Sequence, residues 1–280
     1  MSAQIRATRW LLGSAAWIVA ALVLILPLVS LFSEALRHGV GDAVASLDDP
    51  DILSAIRLSL LVVVLCVPLN TVCGIFAAYV LTRYEFTGRG LILVLIELPL
   101  SVSPVVAGLV WVLLFGGRGW FGPMLSHNHI QITFALPGIL LATLFVTFPF
   151  VVRTIMPVLD ARGRANEEAA TMLGAGFWAI FLRVTLPGIG WALLSGVLLC
   201  AARALGEFGA VSVVSGHIPG VTETVPLRIE TLYNDYQSVA AFSLAALLAL
   251  ASGLAVGVRG MLEWQHKVTG EADPPQGRMA

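Results

Sequence analysis

The segment Asn166-Glu167-Glu168-Ala169-Ala170-Thr171-Met172-Leu173-Gly174 is a polar island in an apolar chain, and it carries helix start and stop signals within nine residues. Asn166 is a candidate N-cap, Glu167 and Glu168 suit the positive end of a helix dipole, and Gly174 suits a left-handed stop. The spacing predicts a two-turn helix. Downstream, Phe177, Ile180, Phe181 and Val184 fall at i, i+3, i+4 and i+7, which predicts a second short helix with one apolar stripe, and Pro187 opens the next apolar run. Helices this short do not hold alone in water, so the hairpin must pack on its own chain, lie at the lipid interface or serve as a docking surface.

Working outward, six apolar runs surround this hairpin, at about 10–32, 55–81, 91–115, 133–152, 187–214 and 239–261. The 280 residues are 58% hydrophobic and 12% charged, whereas soluble domains carry about 25% charged residues. A run of about 20 apolar residues crosses the hydrocarbon core as a helix. Lipid offers no partner to a free amide, and a β-barrel needs shorter, alternating segments. The expectation is an all-α membrane protein of about six spans, forming one domain over 1–270, with a disordered tail over 271–280 where Asp273-Pro274-Pro275-Gln276-Gly277 lies. The first run is long enough to span and lacks a clear small-residue cleavage site, so it reads as a retained helix. A formal charge of −1 argues against a nucleic-acid partner. Cys66, Cys73 and Cys200 lie unpaired in apolar runs and read as small core residues.

With the N-terminus inside, eleven of the sixteen Lys and Arg residues face the cytoplasm, namely Arg6, Arg9, Arg83, Arg89, Arg153, Arg162, Arg164, Arg183, Arg259, Lys267 and Arg278. Arg37, Arg57, Arg118 and Arg228 fall outside, and Arg203 falls within a span. This bias places both termini, and a long loop over 153–186, in the cytoplasm.

The loop reads Glu168-Ala169-Ala170, three residues, Gly174, nine residues, then Val184-Thr185-Leu186-Pro187. It resembles the EAA loop of ABC-type importer permeases, whose usual form has Ile at the position of Val184. The resemblance implies the type I ABC importer permease fold. It also implies that the short helix is a coupling helix seated on a cytoplasmic ATPase, with Glu168, Ala169, Ala170, Gly174, Leu186 and Pro187 as the ATPase-coupling residues. An ATP-binding P-loop needs a Gly-rich backbone with Lys followed by Ser or Thr, and the chain's one lysine, Lys267, precedes Val268. The chain is therefore expected to be no enzyme and to hold no cofactor, with ATP and Mg bound by the partner ATPase.

Further segments are Phe86-Thr87-Gly88, Leu98-Pro99-Leu100-Ser101-Val102-Ser103-Pro104-Val105-Val106-Ala107-Gly108-Leu109 and Gly206-Glu207-Phe208-Gly209-Ala210-Val211-Ser212-Val213-Val214-Ser215-Gly216-His217. They are similar to sulfate/thiosulfate permease subunits, over about Leu31 to Trp264. The Ser-Pro-Val-Val-Ala-Gly stretch is shared with molybdate permeases, whereas Ser215-Gly216-His217 leans toward sulfate. The resemblance implies a multi-pass protein of the bacterial inner membrane. A homologous second permease would complete its path, an ATPase dimer would bind beneath, and a periplasmic sulfate/thiosulfate-binding protein would deliver cargo. The alternatives are a molybdate or other oxyanion permease, and an ion-coupled secondary transporter using Glu97 and Glu207 as embedded carboxylates. A membrane-embedded enzyme would need a nucleophile–base or metal cluster that the sequence lacks.

Within the third run, Pro99 and Pro104 each remove a backbone donor, so the span should bend or break there. Ser101, Ser103 and the freed amides would offer neutral donors to a passing oxyanion. Arg203 and Glu207, four apart in the fifth run, are expected to pair. Ser101, Ser103, Pro104, Arg203 and Glu207 are thus the candidate translocation path, and Glu97, near the inner end of the third run, is expected to meet an interface or a partner residue. His127 and His129 lack the further ligands of a metal site, and Gly116-Gly117-Arg118-Gly119 reads as turn chemistry. On the outside, Thr224 and Pro226 predict a short helix through Tyr233. Trp120 and Phe121 are anchors to the interface or to a docked periplasmic protein.

Overall fold

The computed structural model describes residues 2–271, with side chains described at 10 and 12–263, and its regular elements are all helical among these residues. In order they are α1 (Ser2–Ala20), α2 (Leu26–Ala35), α3 (Val40–Ala45), α4 (Pro50–Arg83), α5 (Arg89–Ser101), α6 (Pro104–Phe115), α7 (Gly122–His127), α8 (Leu136–Arg162), α9 (Ala165–Met172), α10 (Phe177–Ile180), α11 (Leu186–Gly188), α12 (Gly190–Leu205), α13 (Gly209–Val214), α14 (Val225–Asn234) and α15 (Ser238–Glu271). Turns of π-helix at Ala21–Ile25 and Phe181–Thr185 join α1 to α2 and α10 to α11. Four helical stretches are long and apolar enough to cross a membrane, and two bent pairs raise the number to six.

The centre is a three-helix packing of α4, α8 and α12. Val67, Ile75 and Leu81 of α4 meet Val151, Ile155 and Leu159 of α8 and Cys200 of α12. The crossing is close at Gly74, where an added Cβ would lie 2.7 Å from a Val151 methyl. Inside this apolar contact the Asn70 amide donates to Thr147 Oγ1 at 2.7 Å, which satisfies a buried polar group and fixes the register of α4 against α8. A second cluster joins Cys66, Ile139 and Val146 to Ala210, Val211 and Val214 of α13.

A third cluster sets Ile52 and Ala55 against Val225 and Leu232 of α14 and Ala241 and Leu244 of α15. The starts of α4 and α15 therefore share one face with α14. On the opposite face lie the end of α4, α9, the start of α12 and the end of α15, where Arg259 and Glu263 hydrogen-bond to Ser195 of α12. By contrast, none of residues 12–34 in the first span is buried.

Several elements depart from the apolar runs. Helix α8 continues ten residues beyond 152, because Val151, Val152, Ile155 and Leu159 keep a buried face while Arg153, Asp160 and Arg162 point out. The expected loop over 153–186 thus begins as helix and leaves it only at Gly163. Arg57, expected in an outer segment, lies on α4, which starts at Pro50 after Asp49 caps it through the amide of Asp51. The run over 187–214 is not one helix. Pro187 belongs to α11, the chain bends 70° before α12, and it breaks again at 206–208. The third run breaks at Val102 and Ser103 with a bend of 111°, as its prolines predict, with Pro104 as the first residue of α6. Cys66 and Cys200 are buried as expected, but Cys73 is exposed. Of the expected disordered tail, Glu271 closes α15 and residues 272–280 lie outside the described residues.

Candidate coupling site and membrane path

Helix α9 is built as the loop sequence predicts, with one shift at its start. The Arg164 carbonyl accepts the Glu168 amide at 2.9 Å, so Arg164 is the N-cap residue and Asn166, the expected cap, lies in the first turn beside Glu167 and Glu168. At the other end Ala175 N–H donates to Ala170 O at 3.0 Å and Gly174 N–H to Thr171 O at 2.9 Å. Gly174 has φ +83, so the helix closes in a Schellman motif that needs a left-handed residue. Glu168, Ala169, Met172 and Leu173 stand exposed, Met172 at 91% and Leu173 at 89%. Two adjacent apolar side chains thus project from the tip of the helix. The expected stripe after it is displaced. A π turn shifts the register, and the buried face runs through Phe181, Thr185 and Ile189 while Phe177 is exposed. Leu186 packs half-buried on the central core and Pro187 is exposed.

Helix-end chemistry alone gives Glu167 and Glu168 equal standing, but packing separates them. Glu167 turns inward, where its carboxylate meets Arg83 Nε at 2.9 Å and Nη2 at 3.0 Å and accepts Thr185 Oγ1 at 2.9 Å. The Arg83 guanidinium also donates to the Leu159 carbonyl at 3.2 Å. This fork ties α4, α8, α9 and the turn before α11 into one junction, walled by edge-to-face contacts of Tyr79 with Phe177 and Phe181. Neither Arg83 nor Glu167 was a sequence candidate for this role. The one hint was that Arg83 closes an apolar run, where its charge must find a partner on the adjoining loop.

In the membrane region the two broken spans meet. Pro104 opens α6 beside Gly209, which opens α13, and an added Cβ at Gly209 would lie 2.9 Å from Pro104 Cβ. At Gly108 an added Cβ would lie 2.6 Å from the Ala210 carbonyl oxygen, a backbone atom that cannot step aside. Gly108→Leu is therefore expected to force α6 off α13 and to cost more than about 2 kcal/mol in stability, read as a lower melting temperature of the detergent-purified protein. Arg203 in the last turn of α12 pairs with Glu207 Oε2 at 2.6 Å, and Glu207 Oε1 accepts the Ala210 amide at 2.9 Å. The pair is formed as expected, but across the end of a helix rather than along one. The carboxylate is buried and caps the start of α13.

Among the path candidates, Pro104 and the Glu207-capped helix are thus brought together. Ser101 and Ser103 lie exposed at the same break, Ser101 spending its hydroxyl on the Leu98 carbonyl at 3.0 Å. Glu97 is exposed on α5 one turn before that break. On the face opposite α9, α14 forms where expected, and its buried Arg228 faces Asp49, Asp51 and Glu223 at 3.5 to 3.6 Å. Trp120 stands exposed and Phe121 stacks on Phe115.

Residues 70–263 match the family described as binding-protein-dependent transport system inner membrane component. The chain is 47% identical over 257 residues to the sulfate transport system permease protein CysW of Escherichia coli (strain K12), covering 92% of this chain and 88% of that one. It is 37% identical over 231 residues to the sulfate transport system permease protein CysT of the same organism, covering 82% and 83%. Its fold matches a chain in the crystal structure of a bacterial alginate ABC transporter in complex with an alginate pentasaccharide-bound periplasmic protein, with a TM-score of 0.73, 18% identity, and 95% and 97% of the two chains covered. The surface of α9, the paired broken spans and these similarities agree, and the chain belongs to the binding-protein-dependent transport system inner membrane components, the permeases of ABC importers.

Proposed function

We propose that this chain is the permease subunit of an ATP-driven importer that moves sulfate, and with it thiosulfate, across the bacterial inner membrane, with both termini and α9 in the cytoplasm. The observation that carries the coupling role is the tip of α9. There Glu168, Met172 and Leu173 are presented outward on a helix whose inner side is fixed to the bundle through Glu167. A cytoplasmic ATPase dimer, holding ATP and Mg, covers this tip, and nucleotide closure pushes on it. The cargo assignment rests on the kinship with sulfate permeases. The two unequal permeases of one organism that resemble the chain support a homologous but distinct second subunit. It covers the exposed faces of α5 and α6, since Glu97 on that surface is too costly to leave against lipid. A periplasmic binding protein delivers the anion at the face that holds α14.

Cells lacking the chain are expected to lose uptake of radiolabelled sulfate and to regain it from a plasmid copy, with excess thiosulfate competing strongly and molybdate weakly. Uptake blocked more strongly by molybdate would move the cargo to that anion. Met172→Asp with Leu173→Asp is expected to leave the protein in the membrane but to lose co-purification of the ATPase and lower uptake more than about tenfold, as for loss of an apolar anchor pair. Retained attachment and uptake would overturn the coupling role of α9.

A further inference from the structure

Helix α4 is continuous over 34 residues, about 50 Å at roughly 1.5 Å per residue, longer than the hydrocarbon core it crosses. Both of its ends are tied by directed polar contacts. At the outer end Ser59 Oγ accepts the Val225 amide at 2.8 Å, and Asp49 and Asp51 face Arg228, so α14 is fastened to α4. At the inner end Arg83, 8% exposed, grips Glu167 of α9 through two guanidinium nitrogens. Arg89 and Arg164 donate to the Leu81 and Thr82 carbonyls at 2.7 and 3.5 Å, which covers the negative end of the helix from both sides. Between the ends, the Gly74 crossing and the Asn70–Thr147 bond hold α4 against α8.

We infer that Arg83 is the positioning residue through which α9 drives α4, so that the Arg83–Glu167 fork transmits nucleotide closure to the outer face at α14. The inference rests on the coupling role proposed for α9. It differs from that role in a specific way, because Glu168, Met172 and Leu173 hold the motor whereas Arg83 and Glu167 carry its movement inward. The planar guanidinium hydrogen-bonds Glu167 through Nη2 and the Leu159 carbonyl through Nη1, with Nε 2.9 Å from the second carboxylate oxygen, so it resists rotation as well as separation, and a lysine ammonium does not. A force arriving at α9 therefore turns into movement of α4 rather than into bending of the loop.

The test uses the whole complex in proteoliposomes and reads sulfate taken up per ATP hydrolysed, with an arm bearing a spin label at the exposed Tyr233 position of α14 to follow the outer face. Arg83→Gln is expected to keep the ATPase attached, to lower the uptake-to-hydrolysis ratio at least about tenfold, as for a broken buried pair, and to remove the nucleotide-dependent change at the label. Arg83→Lys is expected to fall between it and the parent, and the exchange Arg83→Glu with Glu167→Arg to recover part of the ratio. An unchanged ratio in Arg83→Gln overturns the inference, and so does loss of ATPase attachment, which would make the fork a docking element. If Arg83→Gln does not accumulate, the ratio in Arg83→Lys decides in the same way. The Met172 and Leu173 variants test the coupling role separately, so failure of the fork leaves that role standing.

Discussion

Glu207→Ala is expected to abolish uptake and to lower the amount of protein retained in the membrane. The carboxylate is 2% exposed and does two jobs at once, neutralising Arg203 at 2.6 Å and capping α13 through the Ala210 amide. Its removal leaves a guanidinium without its counterion and a helix start without an acceptor, where α6 and α13 touch backbone to backbone. Breaking one partner out of a fully buried pair costs about 3–5 kcal/mol; the Arg203 side chain is 31% exposed, so the cost here falls below that range, and it comes from the charge left without its partner. Glu207→Gln keeps an acceptor for the Ala210 amide but not the charge, and is expected to retain membrane insertion while still losing most uptake. Arg203→Met combined with Glu207→Met removes both charges, and its membrane level is expected to exceed that of Glu207→Ala. Immunoblots of washed membranes and thermal melts in detergent measure these levels, and equal levels for the alanine and double-methionine proteins would show that stranded charge is not the cause.

The second large effect is expected at Gly174. Nothing lies within 4 Å of an added Cβ there, so the cost of a side chain is conformational rather than steric crowding. At φ +83 a β-branched residue pays roughly 1–2 kcal/mol or more, enough to loosen the end of this eight-residue helix, whose last turn closes in the Schellman bonds. Gly174→Val is expected to lower uptake more than about tenfold, each 1.4 kcal/mol being one factor of ten, and to weaken ATPase attachment, whereas Gly174→Asn, which tolerates the left-handed region, stays near the parent. Pull-down of the ATPase from solubilised membranes separates the two. A parent-like Gly174→Val would mean that the turn is not needed to present Met172 and Leu173.

The apolar runs made the membrane class legible, because hydrocarbon imposes a helix wherever a long run occurs. They were silent on where a run breaks, since the same residues satisfy lipid on either side of Val102 or of Gly206. Proline marked the first break because it lacks an amide. The second carries no such mark, and it shows only in the packing of Gly209 against Pro104. The short helix at Glu168 was legible from its end signals, down to the glycine that closes it. Which of two neighbouring glutamates turns inward was not, because the choice depends on Arg83, 84 residues away in the chain. Arg153 was assigned to a loop for the same reason. A charged residue ends an apolar run in sequence, but an amphipathic helix carries it on the outer side without stopping.

The break between α5 and α6 has an electrical consequence. Carbonyls at the end of α5 and the amides of Val105 and Val106 at the start of α6 have no helical partners, so this depth of the bilayer has to be wet wherever another subunit does not cover it. Water carries little of the transmembrane voltage drop, and the field is squeezed into the dry layer that remains. Moving one charge through a drop of 100 mV takes about 2.3 kcal/mol, so bringing a dianion into an interior-negative cell against that potential takes about twice as much. The bend of 111° thus sets how far a wet layer reaches into the bilayer, and with it where the remaining dry layer, which takes most of the voltage drop, begins.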